Sequence, residues 1–236
     1  MCGRYAFYTP AEAVVRLFGV AEVHAPDLAP RYNIAPTQEV PVVRLSPFGE
    51  DGARPVRELA PARWGLVPFW AKDPSIGSRM INARAESVAE KPAFRAAFRH
   101  RRCLVPADGF FEWQPTRSGK QPWFIHGTAG QPLAFAGLWE LWDAKGTAPP
   151  LASCTIITTR ANDFMKPLHQ RMPVVLDAAG RDAWLDPEAP PALLRGLLEP
   201  VEDAGLAALP VSRRVNSPAN EGPELVEPVR LPDAPR

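Results

Sequence analysis

The sequence predicts an α+β fold, a single β-rich domain with curved or barrel-like mixed and antiparallel sheets and a few peripheral helices. Three observations point to it. From Cys103 to Thr158 apolar and alternating runs follow one another, separated by turns containing Gly, Pro and Lys, the pattern of consecutive strands. Helical signals are short and flank that centre. No repeat or clean linker divides the 236 residues, of which 46% are hydrophobic, so one domain can bury its own core.

In chain order, Tyr5 to Tyr8 reads as a strand. Thr9-Pro10-Ala11-Glu12 supplies an N-cap, a proline at the first helical position and a first-turn acid, which open a helix to about Gly19. Residues 24–38 are rich in proline and suit an ordered, irregular loop. Val40–Leu45 and Arg54–Leu59 alternate as two strands, with Ser46–Gly52 as a long tip. Trp64–Trp70 is dense in aromatics and reads as a strand ending in a turn, and Ile81–Glu86 leads into a helical stretch. A helix then runs from Pro92 to Arg102, placing Phe94 and Phe98 on one face and Arg95, Arg99 and Arg102 on another. That basic stripe is either a binding face or an ordinary solvated one.

The strand series comprises Cys103–Pro106, Gly109–Trp113, Gln121–His126, Leu133–Trp142 and Leu151–Thr158. Short amphipathic helices are expected over Gly180–Leu185 and Pro191–Leu198, and a closing strand over Pro210–Val215. Beyond Ser217 periodicity is lost. Residues 1–220 are read as the domain and 221–236 as a loose tail.

With 27 basic against 26 acidic side chains the net charge is +1, so any nucleic-acid-binding surface must be local. Cys2, Cys103 and Cys154 are odd in number and far apart, which argues against a disulfide framework or a structural zinc site and for a reducing cytoplasm. No apolar run approaches the roughly 18 residues of a membrane span. A monomer without metal or cofactor is expected.

Thr9-Pro10-Ala11-Glu12 interrupts the apolar run a secretory leader needs, so the chain is expected to start where it is written, with Cys2 at the extreme N-terminus. Methionine is usually removed before a small second residue, and Cys2 would then carry a free α-amine and a thiol on adjacent carbons. Ordinary pKa values of about 7.7–8.0 for the amine and about 8.5 for the thiol leave both nucleophiles usable near neutrality. The competing reading is a small buried hydrophobe at the start of a strand. Glu112, between Phe111 and Trp113, is either on a wet strand face or a carboxyl raised toward neutrality by desolvation and suited to proton transfer. His169 sits in the proline-bounded phrase Lys166–Pro173, a more distinctive setting than those of His24, His100 and His126. Asn82 and Arg84 offer an amide and a phosphate-binding fork two residues apart.

Six phrases join these pieces: Cys2-Gly3-Arg4-Tyr5, Arg31–Pro36, Trp64-Gly65-Leu66-Val67-Pro68, Ile81–Glu86, Gly109-Phe110-Phe111-Glu112-Trp113 and His169-Gln170-Arg171-Met172-Pro173. Their content and order resemble the SRAP (SOS response-associated peptidase) family of abasic-site processing proteins, over residues 2 to about 220. The resemblance implies a single β-rich α+β domain that binds single-stranded DNA and links covalently to abasic sites through its N-terminal cysteine. It assigns Cys2 as nucleophile, Asn82 as the group orienting its amine, Glu112 as the proton-transfer residue, and His169 as the residue acting on the sugar hydroxyl and on reversal. Arg4, Asn33, Arg84 and Arg171 become candidate phosphate or sugar contacts, and Trp70 a base-stacking wedge. Gln170 stands where members often carry aspartate, and Phe69-Trp70 where some carry two tryptophans.

The implied activity is that of a DNA-protein crosslinking enzyme of the DNA damage response, cytoplasmic and nucleoid-associated when bound. Two rivals are a peptidase using Cys2 with His169 and Glu112 on amide bonds, its own N-terminus included, and a non-catalytic single-strand-binding module.

Overall fold

Strand pairing dominates the architecture of the computed structural model, which describes residues 2–24, 28–46, 55–117, 119–144, 146, 149–201 and 205–231. In chain order the elements are β1 (Tyr5–Phe7), α1 (Ala11–Phe18), β2 (Glu22–Val23), β3 (Arg31–Ile34), β4 (Glu39–Leu45), β5 (Arg57–Trp64), β6 (Asn82–Arg84), α2 (Arg95–His100), β7 (Arg102–Ala107), β8 (Gly109–Thr116), β9 (Gly119–Gly127), β10 (Leu133–Trp142), β11 (Leu151–Arg160), β12 (Arg171–Pro173), α3 (Ala178–Leu185), α4 (Pro191–Gly196) and β13 (Leu206–Pro210). One sheet has the order β13-β9-β8-β1-β3. The other runs β12-β11-β10-β7-β4-β5-β2, with β6 on β11. A short parallel pairing of β11 with β5, Cys154 opposite Trp64, closes β11-β10-β7-β4-β5 into a ring. The expected barrel-like, β-rich α+β fold is therefore present.

The central strands form because their sequences suit burial on both faces. β10 (LAFAGLWELW) is buried from Leu133 to Glu140, and β11 is rich in β-branched Thr and Ile. Between the sheets Tyr5 meets Trp64 edge-on at 5.2 Å, and Phe135 meets Tyr5 at 6.4 Å and Phe110 at 5.8 Å. These contacts pin β1, and with it the N-terminus, against both sheets.

Several local expectations are corrected. Thr9 does not cap α1: its hydroxyl and amide both bond the Asp108 carboxylate, while Pro10 is the cap residue and Gly19, at φ 62°, ends the helix. The 24–38 loop contains β3, whose residues pair with β1. The strand expected from Arg54 starts at Arg57 and runs on to Trp64, and the tip residues 47–52 lie outside the described residues. Ile81–Glu86 leads into turns rather than a helix, with β6 at its centre. The following helix is shortened to Arg95–His100, because Arg102 starts β7 and buries its guanidinium on the carbonyls of Phe98, Arg99, Trp184 and Asp186. The basic stripe thus loses Arg102. The closing strand is Leu206–Pro210, and Arg213–Asn216 forms a 3-10 turn.

Residues 221–231 are not loose. Glu221 Oε1 accepts from Tyr32 N, Leu225 is fully buried, and Val211 bridges Pro228. The segment lacks periodicity because it is an extended strap with one 3-10 turn, Pro223–Leu225, rather than a helix or strand. Residues 232–236 lie outside the described residues.

The turn after β5 depends on glycine. Gly65 has φ 132°, and a Cβ there would lie 2.5 Å from the Gly77 carbonyl oxygen. Gly65→Ala is expected to cost about 3 kcal/mol or more, from backbone strain of about 1–3 kcal/mol and overpacking of about the same size. Urea unfolding should show a lowered midpoint at unchanged slope; a loss below about 1 kcal/mol would mean that this backbone contact yields easily.

Candidate active site

The pairing of β1 with β8 creates the site. Tyr5 lies opposite Phe110, and Phe111 N donates to Arg4 O at 2.9 Å. Antiparallel register then carries the residues before Tyr5 alongside those after Phe111, which sets Cys2 near Glu112. From the other sheet Asn82, on β6, donates its Nδ2 to the Cys2 carbonyl at 2.7 Å. His169, in the turn between β11 and β12, places Nδ1 4.0 Å from Glu112 Oε1. Four residues from distant parts of the chain are thereby brought together.

Cys2 is fully buried. Burial, and then the nearby Glu112 carboxylate, push its thiol well above the ordinary range, against the amino-terminal charge and a hydrogen bond from the Arg4 backbone. The sequence-based expectation of a thiol with an ordinary pKa, and so some thiolate near neutrality, is corrected here, because a desolvated sulfur next to a carboxylate holds its proton more tightly. Glu112 is 2% exposed, so it is not on a wet face. Desolvation raises its carboxyl, over the opposing pull of the amino-terminal charge and His169. Asn82 Oδ1 is buried and accepts no hydrogen bond among the described residues. An acceptor left so costs about 1–3 kcal/mol, and an amine donor would relieve it.

His169 accepts the Arg171 backbone N–H on Nδ1 at 2.9 Å. The same Nδ1 lies 3.1 Å from the Arg171 carbonyl oxygen, so the ring nitrogen faces both polar groups of that residue. The turn is built from within: Asn162 Oδ1 accepts from Met165 N at 3.0 Å, Met165 O accepts from His169 N at 2.9 Å, and Met165 is fully buried.

The remaining candidates divide. Arg84 and Trp70 are exposed, Trp70 at 49% beside Phe69 at 59%. Arg84 and Asn82 project from the same face of β6, since side chains two apart do. Arg4 and Asn33 instead hold the C-terminal strap: Arg4 donates to Asn33 Oδ1 and Val215 O, both at 2.7 Å, and Asn33 donates to the carbonyls of Ser217 and Asn220. Arg171 spends its fork on Glu86, at 2.5 and 3.0 Å, and on Thr158 O at 2.5 Å. Sequence reasoning missed Glu86 as that partner, although it closes the Asn82–Glu86 phrase. A cavity of about 560 Å³, lined by Thr128, Leu133, Val175, Arg181, Leu197 and Glu199 among others, includes none of these residues. Glu22, His24 and Glu58 bring donor atoms within 4.8 Å of one another, but Glu58 is already paired with Arg44 at 2.6 Å. No helix among the described residues is long and apolar enough to cross a membrane.

Comparison with known proteins shows what the whole chain is similar to. The family model described as SOS response associated peptidase (SRAP) matches residues 1–218. The abasic site processing protein YoqW of Bacillus subtilis (strain 168) is 40% identical over 230 residues, covering 96% of this chain and 99% of that protein. The abasic site processing protein HMCES of Xenopus tropicalis is 34% identical over 228 residues, covering 86% and 67%. A crystal structure of a protein from Bacteroides thetaiotaomicron superposes with a TM-score of 0.85 at 26% identity, over 97% of this chain and all of that one. A match of nearly the whole chain to the family model and to these relatives leaves one assignment: the chain belongs to the SRAP (SOS response-associated peptidase) family.

Proposed function

We propose that this protein processes abasic sites in DNA by binding single strands and linking itself to the lesion through Cys2. The observation that carries the reading is the convergence of Cys2, Asn82, Glu112 and His169. Once Met1 is removed, the Cys2 α-amine lies on the residue whose carbonyl Asn82 already holds, with the unpartnered Asn82 Oδ1 at hand to orient it. The amine adds to the C1′ aldehyde of the ring-opened deoxyribose, and water leaves as the imine forms. The thiol then adds across the C=N bond, a C–S bond forming at C1′ while the sulfur's proton ends on nitrogen, and a five-membered thiazolidine results.

Because Cys2 sulfur is held protonated, the amine acts first and the thiol needs a proton acceptor beside it. Glu112 fills that role and returns the proton in the next step. His169 serves the sugar hydroxyl and reversal. Ring closure consumes the imine, so β-elimination and strand breakage are avoided and the lesion is shielded. A peptidase reading fits less well, since an amide-cleaving cysteine needs an activated thiolate, and burial and Glu112 both oppose one.

DNA contact falls to the exposed groups, Arg84 for phosphate and Trp70 with Phe69 for a base. Arg4, Asn33 and Arg171 contribute by holding the strap and the β11–β12 turn in place. The test is incubation with single-stranded DNA carrying one abasic site, read on a denaturing gel: a heat-stable shifted band is expected, and its absence from the mature protein would remove the crosslinking reading. Arg84→Ala and Trp70→Ala should each weaken binding to undamaged single strands at low salt, Trp70→Ala by about 1–3 kcal/mol. Wild-type affinity in both would put the DNA path elsewhere.

A further inference from the structure

We infer that Gln114 is a positioning residue for His169, setting the imidazole at its distance from Glu112. The inference rests on the abasic-site reading for its kinetic consequence, but its geometry stands alone. Glu112, Gln114 and Trp123 share one face of the β8–β9 pair, Glu112 lying directly opposite Trp123. Trp123 Nε1 donates to Gln114 Oε1 at 3.0 Å. Gln114 Nε2 donates to the carbonyl of Pro167 at 3.1 Å, two residues before His169.

This chain of bonds has one polarity. An indole can only donate and a proline carbonyl can only accept, so the amide between them fits in a single orientation. The indole therefore fixes which end of Gln114 meets the turn. Pro167 has no N–H to bond elsewhere and lies between the buried anchors Met165 and Leu168. Those anchors hold the base of the turn, while Gln114 ties its crest to the strand that carries Glu112. The 4.0 Å separation of His169 Nδ1 from Glu112 Oε1 is thus spanned by a continuous path: Glu112, along β8 to Gln114, across to Pro167, and on to His169. A misplacement of about 1 Å at such a distance can cost up to about 100-fold in rate.

The experiment compares wild type, Gln114→Met, His169→Ala and the double variant, all with Met1 removed. Methionine keeps the length of the side chain and cannot donate to Pro167. Gln114→Met is expected to slow the His169-dependent step by about tenfold at saturating abasic DNA, with affinity for undamaged strands and melting temperature unchanged. In the His169→Ala background the same substitution should change the rate by less than about twofold, the non-additivity of residues acting through one another. Equal slowing in both backgrounds, or a wild-type rate for Gln114→Met, overturns the inference. An NMR readout independent of activity separates it from the functional reading: the His169 Cε1–H resonance should move in Gln114→Met, and more weakly in Trp123→Phe, which keeps an aromatic ring but loses the indole N–H and part of the ring's bulk. An unmoved resonance in both refutes the positioning role even if wild type crosslinks. Absence of any wild-type adduct with a moved resonance refutes the functional reading and leaves the positioning intact.

Discussion

Inserting one alanine between Met1 and Cys2 is expected to abolish covalent capture of abasic DNA altogether. The insertion keeps the Cys2 thiol, the fold and the exposed groups Arg84 and Trp70, but it turns the Cys2 nitrogen into an amide that cannot form an imine. The thiol alone cannot replace it, because burial and Glu112 hold it in its neutral, weakly nucleophilic form. Cys2→Ser makes the complementary test. It retains the amine and can reach a Schiff base, yet the poorer oxygen nucleophile closes the ring badly, so its adduct should be trapped by borohydride and otherwise be labile. The measurement is the fraction of abasic oligonucleotide in a heat- and denaturant-stable complex. Full yield from the insertion variant would sink the thiazolidine mechanism, whose first nucleophile would be gone; a cysteine peptidase mechanism, by contrast, survives an internal Cys2.

The central strands were legible in the sequence because their burial is written locally. The near-continuous apolar run of Leu133–Trp142 and the β-branched Thr and Ile of Leu151–Arg160 translate directly into ladders. What escaped was whatever depends on partners far along the chain. Thr9 has every local mark of an N-cap, but Asp108, some hundred residues on, offers its hydroxyl a charged acceptor and its amide a second bond. Arg102 continues a helical stripe by spacing, and is buried instead because four carbonyls converge on its guanidinium. The strap after Ser217 carries no period to detect, and is fixed by single events such as the burial of Leu225 and the bonds from Asn33.

The site shows the same division. Glu112 between two aromatics left a wet strand face and a desolvated carboxyl both open, and the structure places it at 2% exposure. Arg4, Asn33 and Arg171 were candidate phosphate or sugar contacts on the strength of the family resemblance. Their intramolecular partners Val215, Ser217, Asn220 and Glu86 lie 85 or more residues away in sequence. Nothing local in the sequence announces such pairings.

Glu112→Gln carries the second large effect, and it separates catalysis from stability. As the proton acceptor for a protonated thiol, Glu112 is expected to contribute about 10²–10⁴-fold to the rate of adduct formation. Glutamine keeps the shape and some hydrogen bonding but can neither take nor return a proton, so crosslinking should slow by that factor while affinity for undamaged single strands stays near wild type. Stability should move the other way. The folded-state pKa of Glu112 is raised by burial, so holding it ionised, as proton acceptance requires, costs the fold stability: its contribution is fully present below the ordinary glutamate pKa and is lost as pH rises through the raised one. Glutamine is neutral throughout and escapes that loss. Melting temperatures of the two proteins should therefore agree near pH 4 and diverge in favour of Glu112→Gln toward pH 8, as substitutions that relieve a strained catalytic group tend to do. Unchanged crosslinking kinetics together with a lowered melting temperature at pH 8 would make Glu112 a structural carboxylate and shift the search for the proton acceptor to His169.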